Sequence, residues 1–287
     1  MIVVAETAKA DAVARAAGEV PGVVRTTPAG TSADGSRSKI LVTGEPAPGT
    51  SASLDLVRGV RDAVHAVPEA NALVGGAVAA DLDAREGTLR DILLIVPLVL
   101  AVSLVVLMVL LRAVLAPVLL LLVNTASALA AIGAGAWLSR TLFGWGALDL
   151  PVPLLAFLFL VALGIDYTIF LVHRIRSEGA LLGTRAATVE GLASTGGVIT
   201  SAGIVLAAVF AALGVLPLVT LGQIGLIVGV GVLVDTFVVR TLVVPAVFAL
   251  IGDRIWWPTR LPHASARGAE EEESKDADPT AALAATR

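Results

Sequence analysis

Apolar and polar positions divide this chain into two parts. Up to about residue 90 they alternate over short stretches, and beyond it they merge into long apolar runs. In the first part, Ile2-Val3-Val4 fits the end of a strand. Residues 9–18 carry helical spacing, with Ala8, Ala12 and Ala16 at intervals of four, until Val20-Pro21-Gly22 breaks it. Val23-Val24 opens a second strand. Residues 26–38, rich in Thr, Ser, Gly and Pro, read as a loop, and Lys39–Gly44 reads as the clearest strand. Ser51 or Ser53 is expected to cap a helix reaching about Ala66, with Leu54, Val57, Val60 and Val64 on one face. Leu73-Val74 is a last short strand. The order β-α-β-β-α-β predicts an α+β ferredoxin-like domain over residues 1–76, then a linker helix over 77–91.

Five apolar segments follow, at 92–111, 113–138, 151–172, 194–214 and 221–251. Each is long enough to cross a hydrocarbon core at about 1.5 Å per residue. The expected fold is therefore a polytopic α-helical membrane protein: five transmembrane helices in a membrane domain over 92–252, with a cytoplasmic tail over 253–287. Composition closes off the alternative of buried helices in a large soluble protein. The 287 residues are 56% hydrophobic and 15% charged, against about a quarter charged in soluble domains. The mean hydropathy is +0.89.

Charge adds orientation. Arg112 lies between the first two segments, Arg174, Arg176 and Arg185 between the third and fourth, and Arg254 and Arg260 after the fifth. The opposite loops carry only Arg140. Positive-inside then places the N-terminal domain outside the cytoplasm and the C-terminus within it, in a multi-pass protein of the cell membrane. Trp137, Trp145, Trp256 and Trp257 fall near the expected interfaces. A net charge of -4 without a basic run argues against nucleic acid as a partner. The absence of cysteine excludes disulfides and thiol chemistry. The N-terminus lacks the pattern of a signal peptide. The tail, with Glu270–Glu273 consecutive, is expected to be a disordered, solvated run.

The chemistry centres on Asp166, about 14 residues and thus about 21 Å into the third segment. A carboxylate there is costly unless protonated, paired or hydrated, so a group so placed suits loading and unloading a proton. Tyr167, the only tyrosine, points about 100° away and serves a carboxylate on another helix more easily than Asp166. Gly164 permits close helix approach. Asp235 should lie at similar depth in the fifth segment, and two roles fit it: a structural ion pair with Arg240 or another basic residue, or a proton path. The fourth segment opens with small polar residues. Gly196, Gly197 and Gly203 suit helix packing, while Thr200 and Ser201 are candidates for lining a proton path. His173, seven residues after Asp166, is either an interfacial residue or a relay.

Gly164-Ile165-Asp166-Tyr167, followed by Arg174-Ile175-Arg176, resembles the Gly-x-Asp-Tyr signature of MMPL (mycobacterial membrane protein large) transporters of the resistance-nodulation-division superfamily. Thr200–Gly203 with Ala207–Phe210, and Gly231–Asp235 with Arg240 and Pro245, are similar to that family's following helices. Gly75-Gly76 with Asp81 resembles the passage from the outer domain into the membrane. The resemblance covers roughly residues 1–260. It implies an external porter domain and an Asp-Tyr pair in each of two halves, interlocking to carry protons. It also implies a lipid or other hydrophobic cargo. Asp166 and Tyr167 match the second half's pair. A family half has six helices, the first preceding the porter domain. The chain is therefore expected to be a C-terminal half whose porter domain is truncated at its start and which is incomplete alone. Its expected partners are the bilayer, a hydrophobic substrate, and the missing N-terminal half or a second copy. The coupling ion is the proton, with no cofactor and no metal.

Two other readings remain. One is a non-transporting half that assembles with or scaffolds a partner. The other is an intramembrane aspartyl protease built on Asp166 and Asp235, which the motifs oppose because tyrosine follows Asp166 and Asp235 lies four residues beyond Gly231. ATP-driven transport is opposed too. None of Lys9, Lys39 and Lys275 sits in a phosphate loop, and the chain is not expected to be an enzyme.

Overall fold

In the computed structural model, which describes residues 1–259, burial alternates along the strands at Ile2–Glu6 and Arg37–Gly44, as the pleat of a half-buried sheet requires. The elements run β1 (Ile2–Glu6), α1 (Ala10–Gly18), β2 (Val23–Thr31), β3 (Arg37–Gly44), α2 (Ser51–His65) and β4 (Leu73–Gly75). Val3 and Ala5 of β1 lie on the same buried face as Ile40 and Val42 of β3, with Val3 opposite Ile40. The sheet is antiparallel throughout, in the order β2-β3-β1-β4. Val13 and Ala17 of α1, and Leu56, Val60 and Val64 of α2, complete the core.

Two local expectations change. The stretch from Thr26 to Thr31 is strand, not loop. Its polar residues and Pro28 suit an exposed edge, where only one side of the backbone must be paired. The register shifts between Pro28 and Thr31. The α2 cap is Thr50, whose hydroxyl accepts from the Ser53 amide at 3.2 Å, rather than Ser51 or Ser53. The four residues expected on the inner face of α2 are all buried.

The linker and the first apolar segment form one helix, α3 (Ala77–Leu111). The chain divides within it, into Met1–Leu93 and a unit from Leu94 onward. In the first unit, Ala79 and Leu82 pack on Leu54 and Val57 of α2. Arg61 bridges to both carboxylate oxygens of Asp83, at 2.6 and 2.8 Å.

The second unit continues with α4 (Leu115–Phe143), α5 (Val152–Leu182), α6 (Thr184–Leu213), α7 (Val219–Val234), a π-helical stretch (Asp235–Val243) and α8 (Val244–Ile251). Five helices are long and apolar enough to cross a membrane, the last running through the π stretch. Buried positions in α4 recur at helical spacing: Ala116, Leu120, Asn124, Ala128, Ala131 and Gly135. Large apolar side chains such as Leu94, Leu122, Phe170, Val205 and Leu250 face outward. A bilayer satisfies this arrangement. Helices α5 and α6 overrun their apolar segments and meet at Gly183, whose φ of 78° suits glycine. Asp253 accepts from the Thr184 amide and hydroxyl at the start of α6.

At this end of the unit, Arg176 lies over the Trp256 ring and Arg185 donates to the Ala249 carbonyl. Trp256 is not an exposed interfacial indole. It is 1% exposed and donates to Thr184 at 2.9 Å. Trp137 and Trp257 are exposed. The expectation for the tail from residue 260 onward lies outside the described residues.

Candidate functional site

The last transmembrane segment departs from α geometry where its charged residues lie. In an α-helix, residues five apart point about 140° away from each other. Over Asp235–Val243 the helix is π, and i→i+5 bonding sets Arg240 one turn above Asp235. The Val244 amide accordingly bonds the Val239 carbonyl. Pro245, next in sequence, has no N–H to give the Thr241 carbonyl and crowds it, a local cause for departing from the α ladder.

Arg240 is 3% exposed and Asp235 9%, and Arg240 Nη2 forms an ion pair with Asp235 Oδ2. The same nitrogen donates to the carbonyls of Leu163 and Gly164 in α5, at 3.3 and 3.4 Å. The guanidinium carbon lies 4.6 Å from the centre of the Tyr167 ring, within cation–π range. Tyr167, Asp235, Thr236 and Arg240 line a cavity of about 10 Å³ with Gly164 and three apolar side chains. That volume is at the limit for one water. Asp235 thus sits in an ion pair with Arg240, the first of the two roles that fit it.

Asp166 is placed differently. It falls near the middle of α5 and is exposed on the outside of the unit. Among the described residues neither its carboxylate nor the Tyr167 hydroxyl has a hydrogen-bond or ion-pair partner. Leu155, Phe159, Ala162, Asp166, Phe170 and His173 are all exposed at intervals of three and four, one continuous face of α5. Asp166 and Asp235 therefore form no dyad: one faces outward, the other is buried against arginine.

The small residues divide. A Cβ on Gly164 would fall 2.1 Å from Asn124 Oδ1, and one on Gly203 would fall 2.4 Å from Thr236 Oγ1, so helices meet closely at both positions. Gly196 and Gly197 leave room for a side chain. A Cβ on Gly196 would near only Leu192 of its own helix, and one on Gly197 would meet nothing within 4 Å. Thr200 is half-buried and Ser201 exposed, with its hydroxyl donating to Val198 of its own helix. Neither lines the cavity beside Asp235. The sequence reading missed Asn124, which is 7% exposed and donates to the Val161 carbonyl at 3.1 Å. Its signal was present: a lone amide within an apolar segment needs a partner.

The model of the MMPL family matches residues 3–270. A Streptomyces coelicolor protein named only as a membrane protein is 46% identical over 277 residues, 93% of this chain and 39% of its own length. The apo-petrobactin exporter of Bacillus anthracis is 40% identical, covering 71% of this chain and 27% of that protein. The sulfolipid-1 exporter MmpL8 of Mycobacterium tuberculosis is 36% identical, covering 79% of this chain and 21% of its own length. The chain thus spans 39% or less of the length of these relatives.

Proposed function

We propose that this chain, which belongs to the MMPL family, is the C-terminal half of a proton-motive-force-driven exporter of lipids or other hydrophobic compounds. In this reading Asp166 and Tyr167 are one half of an intramembrane proton relay. The observation that carries it is the outward-facing Asp166 in mid-helix, with no partner among the described residues. A carboxylate costs several kcal/mol against hydrocarbon, so this face calls for a second membrane module bringing a matching hydroxyl to Asp166 and a carboxylate to Tyr167. The relatives' greater length leaves room for such a module. Two of those relatives carry the word exporter in their names, which supports export over an enzymatic activity.

The coupling ion is the proton, and a membrane potential supplies about 2.3 kcal/mol per charge per 100 mV. The βαββαβ unit, with its β2-β3-β1-β4 sheet, is read as a ferredoxin-like porter domain. It lies outside the cytoplasm, and the arginine-bearing end with Arg176 and Arg185 lies at the cytoplasmic face of the cell membrane.

The test uses everted membrane vesicles carrying this chain together with its completing half. Uptake of a radiolabelled long-chain lipid is measured under an imposed pH gradient. Asp166→Asn and Tyr167→Phe should each abolish gradient-driven uptake while leaving membrane insertion unchanged. Wild-type uptake by both variants would sink the relay.

A further inference from the structure

The Asp235–Arg240 pair has a geometry that a plain structural ion pair does not need. A buried ion pair needs its two charges and hydrogen bonds to the remaining protons; it does not need an aromatic ring face. Here Arg240 also spans to α5, with Nη2 donating to the Leu163 and Gly164 carbonyls and the guanidinium over the Tyr167 ring at 4.6 Å. Its Nε, although buried, has no partner among the described residues. The guanidinium is held by its Nη2 contacts and by the ring face. The Leu163 and Gly164 carbonyls belong to the turn that precedes Tyr167, so one arginine grips both the backbone and the side chain of that part of α5.

We infer that Asp235 and Arg240 are positioning residues for Tyr167: the π turn sets Asp235 beneath Arg240, Asp235 holds the guanidinium, and the guanidinium fixes the tyrosine ring. The inference rests on the proposed relay for its purpose but not for its geometry. A phenol that exchanges protons with a carboxylate on another module must present its hydroxyl in one direction. Among the described residues Tyr167 has no hydroxyl partner to set that direction. The ring face is what this unit holds instead. Asp235 then serves the proton path without carrying protons, its charge committed to Arg240.

Because Tyr167 is the only tyrosine, its ring can be observed without assignment. The chain is labelled with ring-deuterated tyrosine, reconstituted in lipid bilayers, and the rate of ring flipping is read from the deuterium line shape. The native ring should flip slowly. Arg240→Met should accelerate flipping about tenfold, equivalent to about 1.4 kcal/mol, within the span of a desolvated cation–π contact. Arg240→Met leaves Asp235 buried and unpaired, which can cost the fold. The neutral double variant Asp235→Asn/Arg240→Met avoids this and should show the same acceleration. Arg240→Lys keeps the ion pair but loses the planar face, and should also flip faster.

A native ring that flips as fast as the variants' rings would overturn the inference. So would helical variants, Arg240→Lys or the neutral double, that flip at the native rate. The relay reading fails on a different measurement, wild-type export by Asp166→Asn and Tyr167→Phe, which would leave the ring result standing.

Discussion

Gly164→Ala tests how tightly the Gly164–Tyr167 stretch of α5 is seated against α4. The new methyl would lie 2.1 Å from Asn124 Oδ1, 2.7 Å from its Cγ and 2.8 Å from its Nδ2. All three atoms belong to the end of a side chain, so the backbones of α4 and α5 need not separate. The amide must swing away, and it gives up the Nδ2 bond to the Val161 carbonyl. With Asn124 only 7% exposed, no water replaces that bond. An unsatisfied buried amide costs about 1–3 kcal/mol, and residual overpacking adds a comparable amount. Alanine's higher helix propensity returns about 1 kcal/mol at most, so a net loss of about 1–5 kcal/mol is expected. The assay is unfolding of the chain in mixed micelles, followed by far-ultraviolet circular dichroism. Asn124→Ala alone should also destabilise, by leaving a cavity and removing the side-chain bond to the Val161 carbonyl. Combined with Gly164→Ala, the two methyls fit, and the double variant should be more stable than the sum of the single losses by more than about 1 kcal/mol. Additive losses, or a Gly164→Ala variant within about 0.5 kcal/mol of the parent, would refute the close contact.

Two further outcomes concern the N-terminal unit. Thr50→Ala removes the acceptor for the Ser53 amide and should destabilise that unit by about 1 kcal/mol, read from its thermal midpoint. In the β2–β3 turn, the Ser32 hydroxyl and the Ser36 hydroxyl and amide donate to Asp34 and hold its carboxyl down to about 2 from 3.8. A lowered carboxyl stabilises the folded turn above its ordinary value and loses that contribution as pH falls from 3.8 through about 2. The Ser36 amide resonance should therefore titrate near pH 2, and a midpoint near 3.8 would contradict the hydrogen-bonded turn.

Regular periodicity made much of the fold readable. The inner face of α2 follows from Leu54, Val57, Val60 and Val64, and the five membrane helices follow from apolar length. What was illegible depends on distant partners. The strand from Thr26 to Thr31 is polar and holds a proline, so its own residues speak for a loop; pairing with β3 makes it a strand. The helical ends of α5 and α6 past their apolar segments carry polar residues that a hydropathy window discards. In the site, Asp166 and Tyr167 were legible because charge and hydroxyl are rare in apolar runs. The contact of Arg240 with Tyr167 was not. It requires the π stretch, and a five-residue spacing read with α geometry points the arginine elsewhere.

The two intramembrane aspartates then part by a simple electrostatic rule. A buried carboxylate persists in a membrane protein when a cation and hydrogen bonds meet it. Asp235 has its arginine within the same helix, and the π turn exists at the residues that bring them together. Asp235 is thereby neutralised, and its arginine is not to spare for Asp166. Arg240 is already engaged by Asp235, by two carbonyls of α5 and by the Tyr167 ring. On the proposed reading, whatever satisfies Asp166 must therefore come from the module that covers the outer face of α5. Protonation is the one way Asp166 can become neutral without it. A carboxyl that is either protonated or met by a partner's donor, beside a phenol whose ring is held in place, is what a proton exchanged between two modules would require.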